Sequence, residues 1–227
     1  MEQPTDSPGL EYCPVTAAVQ AVGDRWTLLV LRELLMGSHH FNDIHRGLPG
    51  ANRTLLSGRL RRMQADGLVH RRPGPDGRPG YHLTPAGAAL EPVVWQLGDW
   101  ARQWHFGEPQ REQLDAGWLL WRLRQFVRPE RLPDRRVVAE FVLHDQQEPP
   151  EHAWLLLAPG DISACHVHPG HDTDLWVTAD LRAMHRLVAG TTTLAAAGLD
   201  LSGDPALTAA FPGWFAWRVP GTGAGRS

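Results

Sequence analysis

The stretch NRTLLSGRLRRMQADG, residues 52–67, decides the fold of the first half of the chain. It opens on an asparagine, a favourable N-cap residue, and closes on a glycine, a typical helix stop, so the residues between them predict one helix. Leu56, Leu60 and Met63 recur at helical spacing and therefore share one face. The other sides carry small, polar and basic residues, namely Arg53, Thr54, Ser57, Gly58, Arg59, Arg61 and Arg62. Such a helix buries one face and presents arginines on the opposite one.

Charge is distributed unevenly along the chain. The 227 residues carry a formal net charge of −3, and all 22 basic residues are arginines. Residues 46–78 nevertheless hold eight arginines against two aspartates, a local charge of +6. Residues 107–227 hold eleven arginines against fifteen acidic residues. A basic block in an otherwise acidic chain predicts contact with a polyanion, although a solvated helix face would also explain the charge.

Further helices and a hairpin surround the arginine helix. Pro14 favours a helix start, and apolar residues at helical spacing continue to the stop at Gly37, with an interruption at Gly23-Asp24. A short amphipathic segment over residues 41–48 precedes the arginine helix. Two alternating segments around the turn Asp76-Gly77 follow it, and a last helix is predicted from Ala86 to Phe106. The order helix, helix, turn, helix, hairpin, helix is that of a mainly α winged helix-turn-helix.

Six short motifs follow one another in this half of the chain. They are Cys13-Pro14-Val15, Gly23-Asp24-Arg25-Trp26-Thr27, Leu31-Arg32-Glu33-Leu34, Phe41-Asn42-Asp43-Ile44, Leu56-Ser57-Gly58-Arg59-Leu60 and Tyr81-His82-Leu83-Thr84. Together they resemble the HxlR-type transcriptional regulators, which are close to the MarR group. Ala51 and the long Pro/Gly-rich wing depart from the family pattern. The resemblance implies a DNA-binding domain over residues 12–106 that binds a pseudo-palindromic, double-stranded operator as a homodimer.

The predicted DNA-binding residues lie on the arginine helix and the hairpin. A helix fits the major groove, where arginine can bind guanine, and hairpin arginines can reach phosphate or a minor groove. The predicted residues are Asn52, Arg53, Thr54, Ser57, Arg59, Arg61, Arg62, Arg71, Arg72 and Arg78. The alternative is a winged helix used only for protein contacts. Trp95, Trp100 and Trp104 on the last helix predict a dimer interface, unless they cover the second half of the chain.

A second domain is predicted over residues 110–217, with an amphipathic helix, four strands and short covering helices in an α+β arrangement. Its distinctive segments are Asp174–Thr178, Asp180-Leu181, Gly190, Ala196–Leu199 and Gly203-Asp204. They resemble the sterol-carrier-protein fold, which implies a curved sheet and helices enclosing an apolar tunnel. Aromatic residues would line that tunnel for a hydrophobic effector, namely Trp118, Trp121, Phe141, Trp154 and Phe211. The alternative is that they fill a small core.

Two further features bear on chemistry. His166, His168 and His171 lie close to Cys165, but alternation along a strand separates neighbouring side chains, so no metal site is predicted. The alternative is a zinc site on these three histidines, which are the residues of the cluster that could converge. Cys13 precedes the first helix, whose dipole favours a thiolate. The family resemblance permits a redox role there, and a buried inert cysteine is the alternative. No arrangement typical of catalysis or of phosphate binding stands out, so neither an enzyme nor a cofactor is expected.

The predicted ends of the chain and its environment complete the expectations. Residues 1–11 and 218–227 are predicted to be flexible tails. The first eleven residues resemble neither a signal nor a transit peptide, and no apolar run approaches about 18 residues, so a cytoplasmic protein without a membrane span is expected. The predicted function is a DNA-binding transcriptional regulator that responds to a hydrophobic small-molecule effector bound in the C-terminal domain. The alternative is a carrier of hydrophobic ligands or lipids that uses its winged helix for dimerisation or protein contacts.

Overall fold

A computed structural model of the chain describes residues 12–74, 77–146 and 148–217. The chain divides into two units, one ending at Trp95 and the other beginning at Gln96. Both of these residues lie within one helix, whereas the predicted domain boundary falls after that helix, between residues 106 and 110. The tails predicted over residues 1–11 and 218–227 lie outside the described residues.

The first unit has the predicted order of elements. They are α1 (Pro14–Val22), α2 (Arg25–Leu35), α3 (Phe41–Arg46), α4 (Arg53–Ala65), β1 (Val69–Pro73), β2 (Pro79–Leu83), α5 (Pro85–Ala88) and the beginning of α6 (Glu91–Trp104). The Asn52 side chain accepts a hydrogen bond from the Leu55 N–H, which confirms the N-cap of α4. β1 and β2 form an antiparallel wing in which Val69 pairs with Leu83.

The core of the first unit forms around the apolar face of α4. Leu56, Leu60 and Met63 are buried, as predicted, and they belong to the same cluster as Val30 and Leu31 of α2. Burial of each such side chain contributes about 1.5–3 kcal/mol. The arginines of α4 therefore point away from the core.

The last predicted helix of this half is broken in two. The prediction of one helix from Ala86 to Phe106 is wrong, because α5 ends at Ala88 and α6 begins at Glu91. Pro92 explains the break. It has no N–H to donate to the Ala88 carbonyl, and its ring would clash with that carbonyl in a continuous helix.

The second unit is a mixed sheet with helices packed on it. Its elements are α7 (Ala116–Arg124), β3 (Val137–Asp145), β4 (Glu148–Ala158), β5 (Asp161–Cys165), β6 (Leu175–Asp180), α8 (Leu181–Ala189), α9 (Leu194–Ala197), β7 (Asp200–Gly203) and α10 (Pro205–Ala210). Among the described residues the strand order is β5-β4-β3-β6-β7, with β3 and β6 parallel and the other neighbours antiparallel. The α+β prediction agrees with this arrangement, but the prediction of four strands misses β7.

One strand of this sheet is longer than predicted. The sequence places Pro149-Pro150 in a loop before a strand at Ala153, whereas β4 begins at Glu148. β5 pairs only with the part of β4 from Trp154 onward. Among the described residues, the first half of β4 therefore pairs with β3 alone, and the β3-β4 register shifts between Leu143 and Asp145, opposite the two prolines, which have no N–H to donate.

No helix in the described part of the chain has both the length and the apolar composition that a bilayer crossing requires.

A buried histidine connects α7 and α8 in the second unit. His185 is 7% exposed, and its Nε2 accepts a hydrogen bond from the Asp115 N–H at 3.2 Å. The ring also stacks on Trp118, with 5.8 Å between the centroids. Burial lowers the pKa of His185 from 6.5 to about 4, so the folded chain holds this imidazole uncharged at neutral pH.

We predict that acid destabilises the second unit through His185. Between pH 6.5 and 4 the unfolded chain binds a proton at this residue that the folded chain does not. Its contribution is therefore complete above pH 6.5 and falls by about 3 kcal/mol as the pH drops to 4. Urea unfolding at a series of pH values should show a flatter pH dependence for His185→Gln than for the wild type. His144→Gln, at an exposed position, is the control, and equal slopes in His185→Gln and wild type would refute the assignment.

Candidate nucleic-acid interface

Four of the predicted DNA-binding residues come together on the outer face of α4. Arg53, Thr54, Ser57 and Arg61 line a concavity of about 390 Å³ together with Phe41 of α3. A Cβ added to Gly58 would meet no atom within 4 Å, so the backbone beside the concavity is open to close approach. Phe41, in the segment that the sequence predicts as amphipathic, also packs against the core of the first unit.

Arg53 is supported from the neighbouring helix. Its Nη2 donates a hydrogen bond to Asn42 Oδ1 at 2.9 Å, and its guanidinium carbon lies 5.0 Å from the centroid of the Phe41 ring. Both supporting residues stand in the first turn of α3. Asn42 is not among the residues that the sequence predicts at this surface. The one feature of the sequence that could have indicated it is a polar residue on the amphipathic segment before α4.

Two other arginines of α4 are paired with carboxylates. Arg59 Nη2 lies 2.9 Å from Asp24 Oδ2, and Arg62 Nε lies 2.9 Å from Asp66 Oδ2. Asp24 also caps α2, since its Oδ1 accepts the Trp26 N–H at 2.8 Å. One carboxylate thus holds the start of α2 and the middle of α4 together.

The wing is attached to the loop before α3. The Tyr81 N–H donates to the His39 carbonyl at 2.8 Å, and His39 Nδ1 lies 3.1 Å from the Tyr81 carbonyl, so that nitrogen carries the proton. The His39 ring stacks on His82 at 4.6 Å, and His82 stacks on His70 at 6.0 Å. Burial, followed by electrostatic interaction with His39 and Arg72, lowers the pKa of His82. The base of the wing is therefore fixed to the helical core.

The predicted wing arginines lie on this attached hairpin. The Arg71 guanidinium carbon lies 5.9 Å from the centroid of the Tyr81 ring, and Arg72 follows it on β1. Arg78 is exposed just before β2. The predicted turn dipeptide is described only in part, because Asp76 lies outside the described residues.

A stripe of apolar side chains is exposed on α6. Val93, Leu97, Trp100 and Trp104 follow at helical spacing, and the two tryptophans are 53% and 65% exposed. Trp95, which was predicted with them, instead packs against the core of the first unit. α1 has no buried residue at all among Pro14–Val22.

The five aromatic residues predicted to line a ligand pocket do not share one surface. Phe141 contacts Phe211, with 6.2 Å between ring centroids. In the register of β3 and β4, Phe141 pairs with Ala153 and Glu140 with Trp154, so Phe141 and Trp154 lie on opposite faces of the sheet. Trp121 is 2% exposed with the Arg124 guanidinium 3.9 Å from its ring centroid, and Trp118 stacks on His185.

A surface cavity of the second unit lies elsewhere. It measures about 450 Å³, and none of the five predicted aromatic residues lines it. Its lining has three acidic residues, three apolar residues and one arginine, namely Arg111, Leu114, Asp145, Glu148, Pro149, Glu151 and Leu181. Burial and neighbouring carboxylates raise the pKa of Glu151.

The histidines near Cys165 do not converge. A Cβ added to Gly117 would lie 1.8 Å from the His166 ring, so that ring packs directly on α7. His168 contacts the edge of Trp154 at 5.5 Å, and His171 Nε2 lies 3.3 Å from an Arg136 nitrogen. In the described ranges no three His, Cys, Asp or Glu side chains are placed to hold a metal ion.

Cys13 occupies the N-cap position of α1 and is half-buried. Hydrogen bonds from the backbone of Thr16 and Val15 lower the pKa of its thiol. The hydrogen bonds at the start of α1 therefore make this thiol easier to deprotonate than a free one.

The wing, the short turn between two helices and the outward arginine face of α4 define a DNA-binding transcriptional regulator of the helix-turn-helix class. Comparison with known proteins agrees, since residues 21–109 match the HxlR-like helix-turn-helix family. The HTH-type transcriptional regulator YybR of Bacillus subtilis is 32% identical over 111 residues, which cover 48% of this chain and 84% of YybR. YvaP, another HTH-type regulator of Bacillus subtilis, is 36% identical over 97 residues, covering 41% of this chain and 90% of YvaP.

A solved structure of the redox regulator HypR in its reduced form is 31% identical, with a TM-score of 0.37, and covers 40% of this chain and 92% of HypR. The sequence relatives establish the family, and the chain belongs to the HxlR-like helix-turn-helix family.

Proposed function

We propose that this regulator binds double-stranded operator DNA through the outer face of α4, with the wing beside it. The supporting observation is the concavity formed by Phe41, Arg53, Thr54, Ser57 and Arg61, whose lining contains no acidic residue. The major groove admits a helix, and base edges there present acceptors to arginine. Arg71, Arg72 and Arg78 would then contact phosphates and fix the orientation of the helix.

The arginines of α4 are not equivalent in this proposal. Arg61 has no hydrogen bond or ion pair to any residue that the structure describes, whereas Arg59 and Arg62 are paired with carboxylates. A paired guanidinium contributes less to the attraction of a polyanion, because its charge is already compensated. Asn52 serves first as the cap of α4.

We predict that Arg53→Ala and Arg61→Ala each weaken binding to the DNA upstream of the chain's own gene by about 1 kcal/mol or more. Each variant removes a charge and its hydrogen-bond donors from the concavity. The measurement is a gel shift at fixed salt concentration. Arg62→Ala removes the same charge from an ion pair on the same helix and should cost less. Wild-type affinity in both concavity variants would contradict the assignment.

We also propose a homodimer that forms through α6. The exposed stripe Val93, Leu97, Trp100 and Trp104 is too apolar to be favourable in water, and two-fold dimers bury such self-complementary faces. A two-fold pair of α4 helices would suit a pseudo-palindromic operator. The exposed Val15 and Val19 of α1 offer further apolar area.

We predict that Leu97→Ser combined with Trp104→Ser converts a dimer into a monomer, since both changes remove apolar surface from the stripe. Sedimentation equilibrium at micromolar concentration is the measurement. Trp176→Ser, which removes an exposed tryptophan from β6, is the matched control and should leave the dimer intact. A monomeric wild type would exclude the interface.

We propose, further, that the second unit senses a hydrophobic effector, in keeping with its resemblance to sterol-carrier proteins. The supporting observation is the mixed sheet with helices packed on it. The carrier alternative is not favoured, because the relatives are transcriptional regulators. An effector that binds one arrangement of the dimer better than another would shift operator affinity.

Titration with long-chain fatty acids and aromatic polyketides, followed by tryptophan fluorescence, tests the effector proposal. Saturable quenching at micromolar ligand is expected. Trp118→Phe should reduce the signal, since Trp118 is only half-buried. No quenching by any of these compounds would favour aromatic residues that simply fill the core.

The redox role of Cys13 remains a prediction supported by its position and by the direction of its thiol pKa. The gel shift described for the arginine variants also tests the redox role of Cys13. Loss of DNA binding after mild peroxide in the wild type, but not in Cys13→Ser, is the expected result. If peroxide does not change DNA binding by the wild type, Cys13 is an inert cysteine.

A further inference from the structure

We propose that Arg53 reads a guanine in the operator, that Asn42 and Phe41 position it for that task, and that Arg61 neutralises a phosphate instead. This inference rests on the proposed DNA-binding function and assigns separate tasks to residues of the same concavity. Four arginines stand on α4, and each has a different local environment.

The partner of each guanidinium decides what its charge can do. Arg59 and Arg62 are held by the carboxylates of Asp24 and Asp66, so their charges are compensated within the protein. Arg53 is held by the neutral amide of Asn42 at 2.9 Å. An amide oxygen orients a guanidinium without cancelling its charge. Arg53 is therefore both directed and available to an anionic partner.

The contacts of Arg53 leave its base-reading capacity intact. A guanidinium has five N–H donors, and the Asn42 oxygen is the acceptor of one Nη2 hydrogen. The donors that remain can bind guanine O6 and N7 as a parallel pair, the commonest specific contact in the major groove. The Phe41 ring, 5.0 Å from the guanidinium carbon, supports the group from one side. Base reading requires a fixed direction of this kind, because the paired acceptors of guanine are fixed themselves.

The position of Arg53 along α4 suits a base edge. It is the first residue of the helix, and the N-terminal residues of a recognition helix contact bases. Asn42 and Phe41 belong to α3, whose Ile44 is fully buried, so the support is anchored in the core of the first unit. The direction of Arg53 is thus set by packing that is complete before DNA arrives.

Arg61 has the opposite properties. It lies eight residues further along α4, about 12 Å away at 1.5 Å per residue, and is exposed. No hydrogen bond or ion pair within the described ranges directs its side chain. A long side chain without a fixed direction can follow a phosphate, a contact that needs charge but no single orientation. It would contribute affinity for any sequence.

The experiment compares base preference with salt dependence in the full-length chain. An operator is first selected from a random duplex pool with the wild-type protein, and all single-base variants of it are then titrated at several salt concentrations by fluorescence anisotropy. Circular dichroism melting confirms that each protein variant is folded. Arg62→Ala serves as the charge-matched control on the same helix.

Arg53→Ala should lose the preference for guanine at one position in each half-site, a discrimination of about tenfold or more in the wild type. Arg53→Lys keeps the charge and should weaken the same preference, since a flexible ammonium lacks the planar fork that Asn42 and Phe41 orient. Arg61→Ala should weaken binding to all sequences alike and lower the salt slope by about one for each protomer. Its base preferences should remain those of the wild type.

Variants of Asn42 test its positioning role, because they should change the guanine preference and the salt slope independently. Asn42→Ala should reduce the guanine preference while the salt slope stays unchanged, because no charge is lost. Asn42→Asp keeps the acceptor and should restore the preference, yet bind every sequence more weakly because the carboxylate compensates Arg53. A role confined to folding would not produce this separation of preference from salt slope.

Each of the following outcomes would overturn the inference or one part of it. One is that Arg53→Ala keeps the base preferences of the wild type. Another is that Arg61→Ala, rather than Arg53→Ala, loses the guanine preference. Wild-type preferences in Asn42→Ala would remove the positioning role. A wild-type chain that binds duplex DNA with preferences independent of Arg53 overturns this inference alone. A wild-type chain that binds no duplex even at low salt overturns the proposed function and this inference together.

Discussion

Burial of one face of α4 determines what the rest of the first unit can do. Leu56, Leu60 and Met63 are at most 1% exposed against α2. Rotating the helix by a quarter turn would bring arginines into the core, where an unpaired charge costs several kcal/mol. The apolar face therefore fixes the outward direction of the basic face. The wing, attached through His39, then has a defined position beside it.

The local charge of +6 overstates the positive potential that the surface offers. Charge counting treats all arginines of residues 46–78 alike, whereas the structure pairs Arg59 with Asp24 and Arg62 with Asp66. The Arg59–Asp24 pair joins α4 to the start of α2, and the Arg62–Asp66 pair stiffens the end of α4. Among the described residues, Arg53 and Arg61 around the concavity and Arg71 and Arg72 on the wing are not paired with a carboxylate. A count of basic residues thus indicates the class of partner, and the ion pairs decide which residues are available to it.

The second unit shows how strand register limits sequence reasoning. The sequence predicts most of its strands, yet the proposed pocket residues depend on which face each side chain takes. Phe141 and Trp154 lie one register position apart on neighbouring strands, and that single step puts them on opposite faces of the sheet. Hydrophobic character alone indicates burial and does not tell one face from the other when both are largely covered.

Local signals determined much of this protein from sequence alone: the cap at Asn52, the stop at Gly67, the period of the apolar residues of α4 and the hairpin that follows. Each acts within a few residues, so it can be read along the chain. Pro92 was a local signal of the same kind, and the prediction of a continuous helix overlooked it. Only the tertiary structure decided which carboxylate meets Arg59, and that Asn42 meets Arg53. These partners lie on different helices, and packing of the core, rather than any local preference, brings them within hydrogen-bond distance.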